Sequence, residues 1–264
     1  MKVWNGFAAG FVAALVALGY VGESRGDVIT DLYFSGSTGS GSSQLSASAD
    51  FSLDSTTHVL TVTLTNTSLN DVLVPTDVLT GVDFNTNTSA THTLTPVSAS
   101  SNGSSVFYGS VVNNVGEGWQ YLGGISAQGK NSGISGTGLN SFGPSGNFFS
   151  PGVMVDGLDY GILSAGDDSA TGNTGVTGHG PLFKNSLKFT LNTGSNFSLT
   201  DLGVSPTVVF QYGTAEGETH YSGGPGPNPN DQPPVPEPTG IAAMLGLATM
   251  GLIGLVWRRR KQGA

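Results

Sequence analysis

The sequence contains no cysteine, which excludes disulfide scaffolds, thiolate zinc sites, iron–sulfur clusters and cysteine nucleophiles together. Charge is also scarce: Asp, Glu, Lys and Arg make up 10% of the chain, against about 25% in an ordinary soluble domain. Basic residues are scarcest in the middle. Between residues 27 and 237 there are 3 of them, Lys130, Lys184 and Lys188, against 17 acidic residues, a net charge of −14. A surface of that sign repels nucleic acid, whose phosphates must be met by clustered Lys and Arg, and it repels anionic lipid headgroups. Long helical periodicity is missing outside the two ends. Instead Gly fills 41 of 264 positions and Ser and Thr abound, residues that favour turns, loops and, for Thr, strands. There is no Walker or dinucleotide fingerprint and, within residues 27–222, no G-x-S-x-G elbow, and His58, His92, His179 and His220 are scattered without motif context.

The two ends differ from everything between them. Lys2 is followed by the apolar run Phe7 to Leu18, too short to span a bilayer comfortably, and then by small residues. This is the pattern of a signal peptide over residues 1–26, with small-x-small cleavage points after Gly19 and Gly26 and signal peptidase as the processing partner. The alternative is an uncleaved N-terminal anchor. At the other end the order is Val235-Pro236-Glu237-Pro238, an apolar stretch from Ile241 to Val256, then Trp257 and the basic cluster Arg258, Arg259, Arg260 and Lys261. Thr239 to Trp257 is 19 residues, about 28 Å of helix against a hydrocarbon core of about 30 Å. The basic cluster then places the last residues in the cytoplasm and the body outside. Upstream, residues 223–238 hold seven prolines and read as an extended, polyproline-like linker that keeps the body off the membrane.

The Val-Pro-Glu-Pro motif, the Gly- and Ala-rich helix and the terminal Arg cluster, in that order, resemble the PEP-CTERM sorting signal of bacterial exosortase substrates. The resemblance implies recognition by exosortase, a membrane-embedded processing enzyme, with cleavage near Pro236-Glu237-Pro238. It also implies transient residence in the inner membrane through residues 239–264, then delivery to the cell surface or the extracellular matrix. Proteins with such tails are generally associated with exopolysaccharide. A permanent single-pass anchor on a Pro-rich stalk is the alternative.

Residues 27–222 remain for a single all-β domain, expected as a β-sandwich or jelly roll. Ala49 to Asn66 alternates apolar and polar residues on both sides of a turn at Asp54 to His58, the signature of a hairpin with one wet face. Ser186 to Leu191 and Thr207 to Tyr212 repeat the period of two, and Ser104 to Val112 and Asp159 to Leu163 are weaker strands. Segments from Leu60-Thr-Val-Thr-Leu-Thr-Asn-Thr-Ser68 through Gly157-Leu-Asp-Tyr-Gly-Ile-Leu163 to Val209-Phe-Gln-Tyr-Gly-Thr214 are similar to exosortase-dependent surface domains found upstream of such tails. That resemblance implies packing strands and carries no activity with it.

Few residues in the body suggest chemistry. Asp167 and Asp168, with Asp156, Asp159 and Asn173 near in sequence, form the densest set of oxygen ligands, so a calcium ion is a candidate there, against a plain solvated loop. No other cofactor is indicated. Trp119 and Tyr121 have the spacing that puts two rings on one face of a strand, either as a sugar-stacking platform or as core. Glu216, Glu218 and His220 alternate in the same way. Nothing brings two specific carboxylates to the separation that glycoside hydrolysis requires. The sequence therefore points to a non-enzymatic, exported structural or adhesive component associated with exopolysaccharide. A carbohydrate-binding module and a polysaccharide-active enzyme are the alternatives.

Overall fold

The computed structural model describes residues 29–39, 44–87, 94–108, 115–137, 148, 157–171, 174–177, 180–202, 207–215 and 218–229. In chain order the strands are β1 (Ile29–Thr38), β2 (Leu45–Asp54), β3 (Val59–Asn66), β4 (Leu79–Phe84), β5 (Thr95–Ser100), β6 (Ser105–Phe107) and β7 (Gln120–Ala127). They continue with β8 (Lys130–Ser135), β9 (Ile162–Leu163), β10 (Leu182–Lys184), β11 (Ser186–Asn192), β12 (Val208–Tyr212) and β13 (His220–Pro225). A four-residue helix, Thr174–Thr177, and two 3₁₀ turns, Pro75–Asp77 and Leu199–Leu202, complete the described elements.

The hairpin β2–β3 follows from its alternation. Phe51 sits opposite Val62 and Leu53 opposite Leu60, and these inward residues are buried. Asp54 closes the turn: one carboxylate oxygen accepts the Thr56 and Thr57 amides at 2.8 and 3.0 Å, and the other accepts the Thr57 hydroxyl at 2.6 Å. On the far side of β3, β11 continues the same rows, with Leu187 opposite Leu64, Phe189 opposite Val62 and Leu191 opposite Leu60. One apolar face thus runs across three strands.

The strands form one hydrogen-bonded path, β5-β11-β3-β2-β1-β13-β12-β4, which forks at β4 into β8-β7 and β9-β10-β6. The β9–β10 pairing is parallel and the other pairings are antiparallel, so the sheet is mixed. It curls back on itself. Phe51 on β2 meets Phe84 on β4 edge-on at 5.2 Å although three strands separate them along the path. Trp119, just before β7, meets Phe189 on β11 at 4.9 Å. The all-β expectation therefore holds, and its form is a strongly curled mixed sheet, a half-barrel. The two halves that a sandwich would keep separate are joined because β13 pairs with β1 on one side and β12 on the other.

Strand β13 runs on past residue 222, where the Pro- and Gly-rich segment begins. Gly223 pairs with Val208, Gly224 with Ser35 and Pro225 with Phe34, so the start of the Pro- and Gly-rich segment belongs to the body. Gly223 and Gly224 bring no side chain into the seam, and Pro225 stands at the last position of the strand, where a missing N–H costs least. The path continues along β1: the Gly226 amide donates to Tyr33 O at 2.9 Å, and Asn228 reaches Asp50. The chain thus leaves the body running toward the end where it enters, at Ile29. At the opposite end lie residues 66–74 and 164–171.

Candidate functional site

At that opposite end two loops are tied together by buried polar groups. Asn66, fully buried, donates from Nδ2 to Ile162 O at 2.9 Å and accepts the Ser68 amide at 3.2 Å. The Ser164 hydroxyl donates to Asn70 O at 2.5 Å. The Val72 amide donates to Asp167 Oδ1 at 3.1 Å, the Asp168 amide to Asp71 Oδ1 at 2.8 Å, and the Thr171 hydroxyl to Asp71 Oδ2. Lys184 Nζ donates to Asp167 O at 2.7 Å and stands over the Phe107 ring. Beneath this layer Val72, Val78, Leu158, Leu163, Val176 and Leu182 form a small apolar cluster separate from the main core.

The acids in these loops have diverged from the sequence expectation. Asp167 is 6% exposed, and its Oδ2 receives no hydrogen bond. Its near partner is Asp71, a residue that no local pattern singles out, brought there by the crossed Val72–Asp167 and Asp168–Asp71 hydrogen bonds. Asp168 is exposed and spends Oδ1 on the Ala170 amide at 3.0 Å, an Asx turn within its own loop. Asp159 accepts the Gly180 amide at 2.7 Å. Asp156 and Asn173 lie outside the described residues. Among the described residues no group of three or more His, Cys, Asp or Glu side chains is arranged to hold a metal ion. Burial pushes the Asp167 carboxyl above the ordinary range, and the Asp71 charge adds to that. Asp71 moves the other way, held low by the Thr171 hydroxyl and then by the Asp168 amide. Tyr108, whose hydroxyl donates to Ser169 O at 2.8 Å, is raised by burial and then by the three Asp charges.

Trp119 and Tyr121 do share a face, as their spacing implies, but it is the inner one. Trp119 is 0% exposed, packed on Phe189, with Nε1 donating to Tyr160 O at 3.0 Å. Tyr121 is 7% exposed beside Phe84, and burial raises its hydroxyl. Neither ring is open to a sugar in this fold. Glu218 accepts the Thr214 and Ala215 amides at 2.6 and 3.3 Å and so holds the turn between β12 and β13. His220 is exposed, its Nδ1 2.9 Å from Glu218 O, and Glu216 lies outside the described residues.

The protein class that emerges is an acidic all-β body followed by a sorting tail. Residues 234–261 match the PEP-CTERM protein-sorting motif, a span that includes Val235, Pro236, Glu237, Pro238, Arg258, Arg259, Arg260 and Lys261. The motif implies an exported protein that exosortase processes and that associates with the membrane and cell surface. Comparison with curated proteins and with solved structures gives no match. The tail and the signal-peptide segment 1–26 lie outside the described residues. Among the described residues no helix is long and apolar enough to cross a membrane.

Proposed function

We propose that the body is a non-catalytic structural or adhesive component of an extracellular layer associated with exopolysaccharide, exported by signal peptidase-dependent secretion and finished by exosortase. The observation that carries this reading is the sorting motif at residues 234–261. Three features support it. The net charge of −14 over residues 27–237 keeps the exported part soluble outside the cell and away from anionic lipid. The segment that leads to the tail departs from one end of the body, so the loops at the other end are free to meet the surroundings. The polar groups of those loops are engaged in holding the loops together.

Replacing Pro236, Glu237 and Pro238 with Ala in a host that has exosortase is expected to leave the chain in the membrane fraction with its C-terminus intact. The unaltered chain should appear at the surface without Arg258 to Lys261. Intact mass of the surface-exposed pool decides: finding the basic cluster there would make the tail a permanent anchor. The non-catalytic role has its own check. Extracted matrix polysaccharide incubated with the exported protein should keep its chain length while the protein stays bound, and shortening of the polysaccharide would replace this reading with an enzymatic one.

A further inference from the structure

We propose that Asp71 and Asp167 share one proton and that the pair is a pH-sensitive latch, holding residues 67–74 against residues 164–171 while the proton is present. The observation is a missing donor. Asp167 Oδ1 accepts the Val72 amide, and both Asp71 oxygens are served, by the Asp168 amide and the Thr171 hydroxyl, yet the buried Oδ2 of Asp167 beside Asp71 receives nothing. Two ionised carboxylates in contact are acceptors only and repel one another. A proton between them supplies the donor and removes the repulsion.

The surrounding groups favour a proton over a metal ion. From the 164–171 loop comes exposed Asp168, already bound to the Ala170 amide; from β10, Lys184; from the end of β6, Tyr108; and from the 3₁₀ turn, Asp77. Lys184 offsets one of the two carboxylates of the pair, and one proton neutralises the other. A calcium ion needs six to eight oxygens, and among the described residues no group of three or more His, Cys, Asp or Glu side chains is arranged to hold one. A cavity of about 20 Å³ beside Asp71, lined also by Gln44, Ser68, Asn70 and Asp77, has room for a single water through which the proton can exchange.

The opposed shifts of the two groups agree with this arrangement: burial holds the proton on Asp167 and the donors around Asp71 keep Asp71 ionised, although the titration belongs to the pair. The sign follows from linkage. The pair retains a proton that an unfolded Asp has released, so its contribution is full below the ordinary Asp value and is lost as pH rises through the raised value. The lowered Asp71 acts oppositely, contributing above the ordinary value and losing that contribution as pH falls through its own. Loss of the shared proton sets two anions against each other where Val72 enters the small apolar cluster, so residues 67–74 lift first.

The test is amide exchange on the full-length chain in detergent micelles with chelator present, from about pH 4 to pH 8. After correction for intrinsic exchange, protection at the Val72 and Asp168 amides is expected to fall by up to about tenfold per pH unit between the ordinary Asp value and the upper titration of the pair, the slope of a single proton, and to level off above it. In Asp167→Asn the side-chain amide donates to Asp71 at every pH, and the same profile should be flat. Constant protection in the unaltered chain, or identical profiles in the two proteins, would overturn the latch. Restoration of protection at high pH by millimolar calcium, lost in Asp167→Asn, would also overturn it and assign the gap to a cation. The unaltered chain alone gives the decisive slope if the variant fails to fold.

Discussion

Trp119→Ala should destabilise the body by about 3–5 kcal/mol, the range for deleting a large aromatic from a packed core. The ring is fully buried and lies on Phe189, which in turn packs against Phe148 at 5.4 Å, so the cavity would open where the two curled halves of the sheet meet. A second loss is polar. Nε1 serves the carbonyl of Tyr160, a residue held at φ 63°, in the left-handed region where a bulky side chain is strained. Without that donor the turn at 157–160 loses a tie that fixes it. Trp119→Phe keeps most of the contact area and forfeits the hydrogen bond, and is expected to lose about 1–3 kcal/mol. Thermal unfolding followed by circular dichroism measures both, with a drop of roughly 2–4 °C per kcal/mol for a body of this size. A sugar platform would behave in the opposite way: stability kept and polysaccharide retention lost after Trp119→Ala.

The contrast between the β2–β3 hairpin and strand β4 shows what was legible in the sequence. Leu60, Val62 and Leu64 alternate with Thr61, Thr63 and Thr65 because one face meets the core and the other is only partly covered. The period of two is visible, and Asp54 marks the turn. In Leu79–Phe84 and Val208–Tyr212 every residue is buried, since both faces are covered. There Thr80 satisfies its hydroxyl with Gly213 O at 2.8 Å and Gln211 donates to Thr137 at 3.2 Å. Polar residues that pair inside the protein erase the alternation in Leu79–Phe84, whereas Thr207 to Tyr212 keeps a period of two and reads as a strand. The strand β13 was hidden for another reason: Gly223, Gly224 and Pro225 carry no strand propensity, and the pairing comes from β1 and β12.

The sites divide in the same way. The sorting motif is legible because its order along the chain is what is matched, so no folding is needed to assemble it. Asp167 stood out by local acid density, which selected Asp168 as its companion. The fold selects Asp71 instead, bringing it across from about a hundred residues away, and turns Asp168 to its own loop. Only tertiary structure supplies that pairing, because a hydrogen bond such as the one from Val72 to Asp167 has no local periodicity to betray it. Trp119 and Tyr121 both join the core, and spacing is blind to which side of a sheet the core occupies.

Gly36→Val tests the seam on which the curl depends. Intrinsic propensity favours the change, since Val suits a strand better than Gly does. The local geometry opposes it. A Cβ at residue 36 would stand 2.8 Å from Ser222 O and 3.0 Å from Gly223 Cα, both backbone atoms that cannot swing aside. Gly223 cannot yield by moving inward, because its own Cβ direction points at the Phe210 ring, 2.5 Å away. The β1–β13 contact is short, with Phe34 opposite Pro225 and Ser35 opposite Gly224, yet it is the step in the strand path that joins one half of the sheet to the other. Overpacking there should cost about 1–3 kcal/mol, at the upper end because few hydrogen bonds hold the step. Gly224→Val supplies the control on the same seam: nothing lies within 4 Å of the Cβ it would add, so it should stay within about 0.5 kcal/mol of the unaltered chain. Urea unfolding of the three proteins separates the two causes. A loss at residue 36 matched by an equal loss at residue 224 would mean that glycine is needed for flexibility along these strands, and close approach of β1 to β13 would no longer explain the curl.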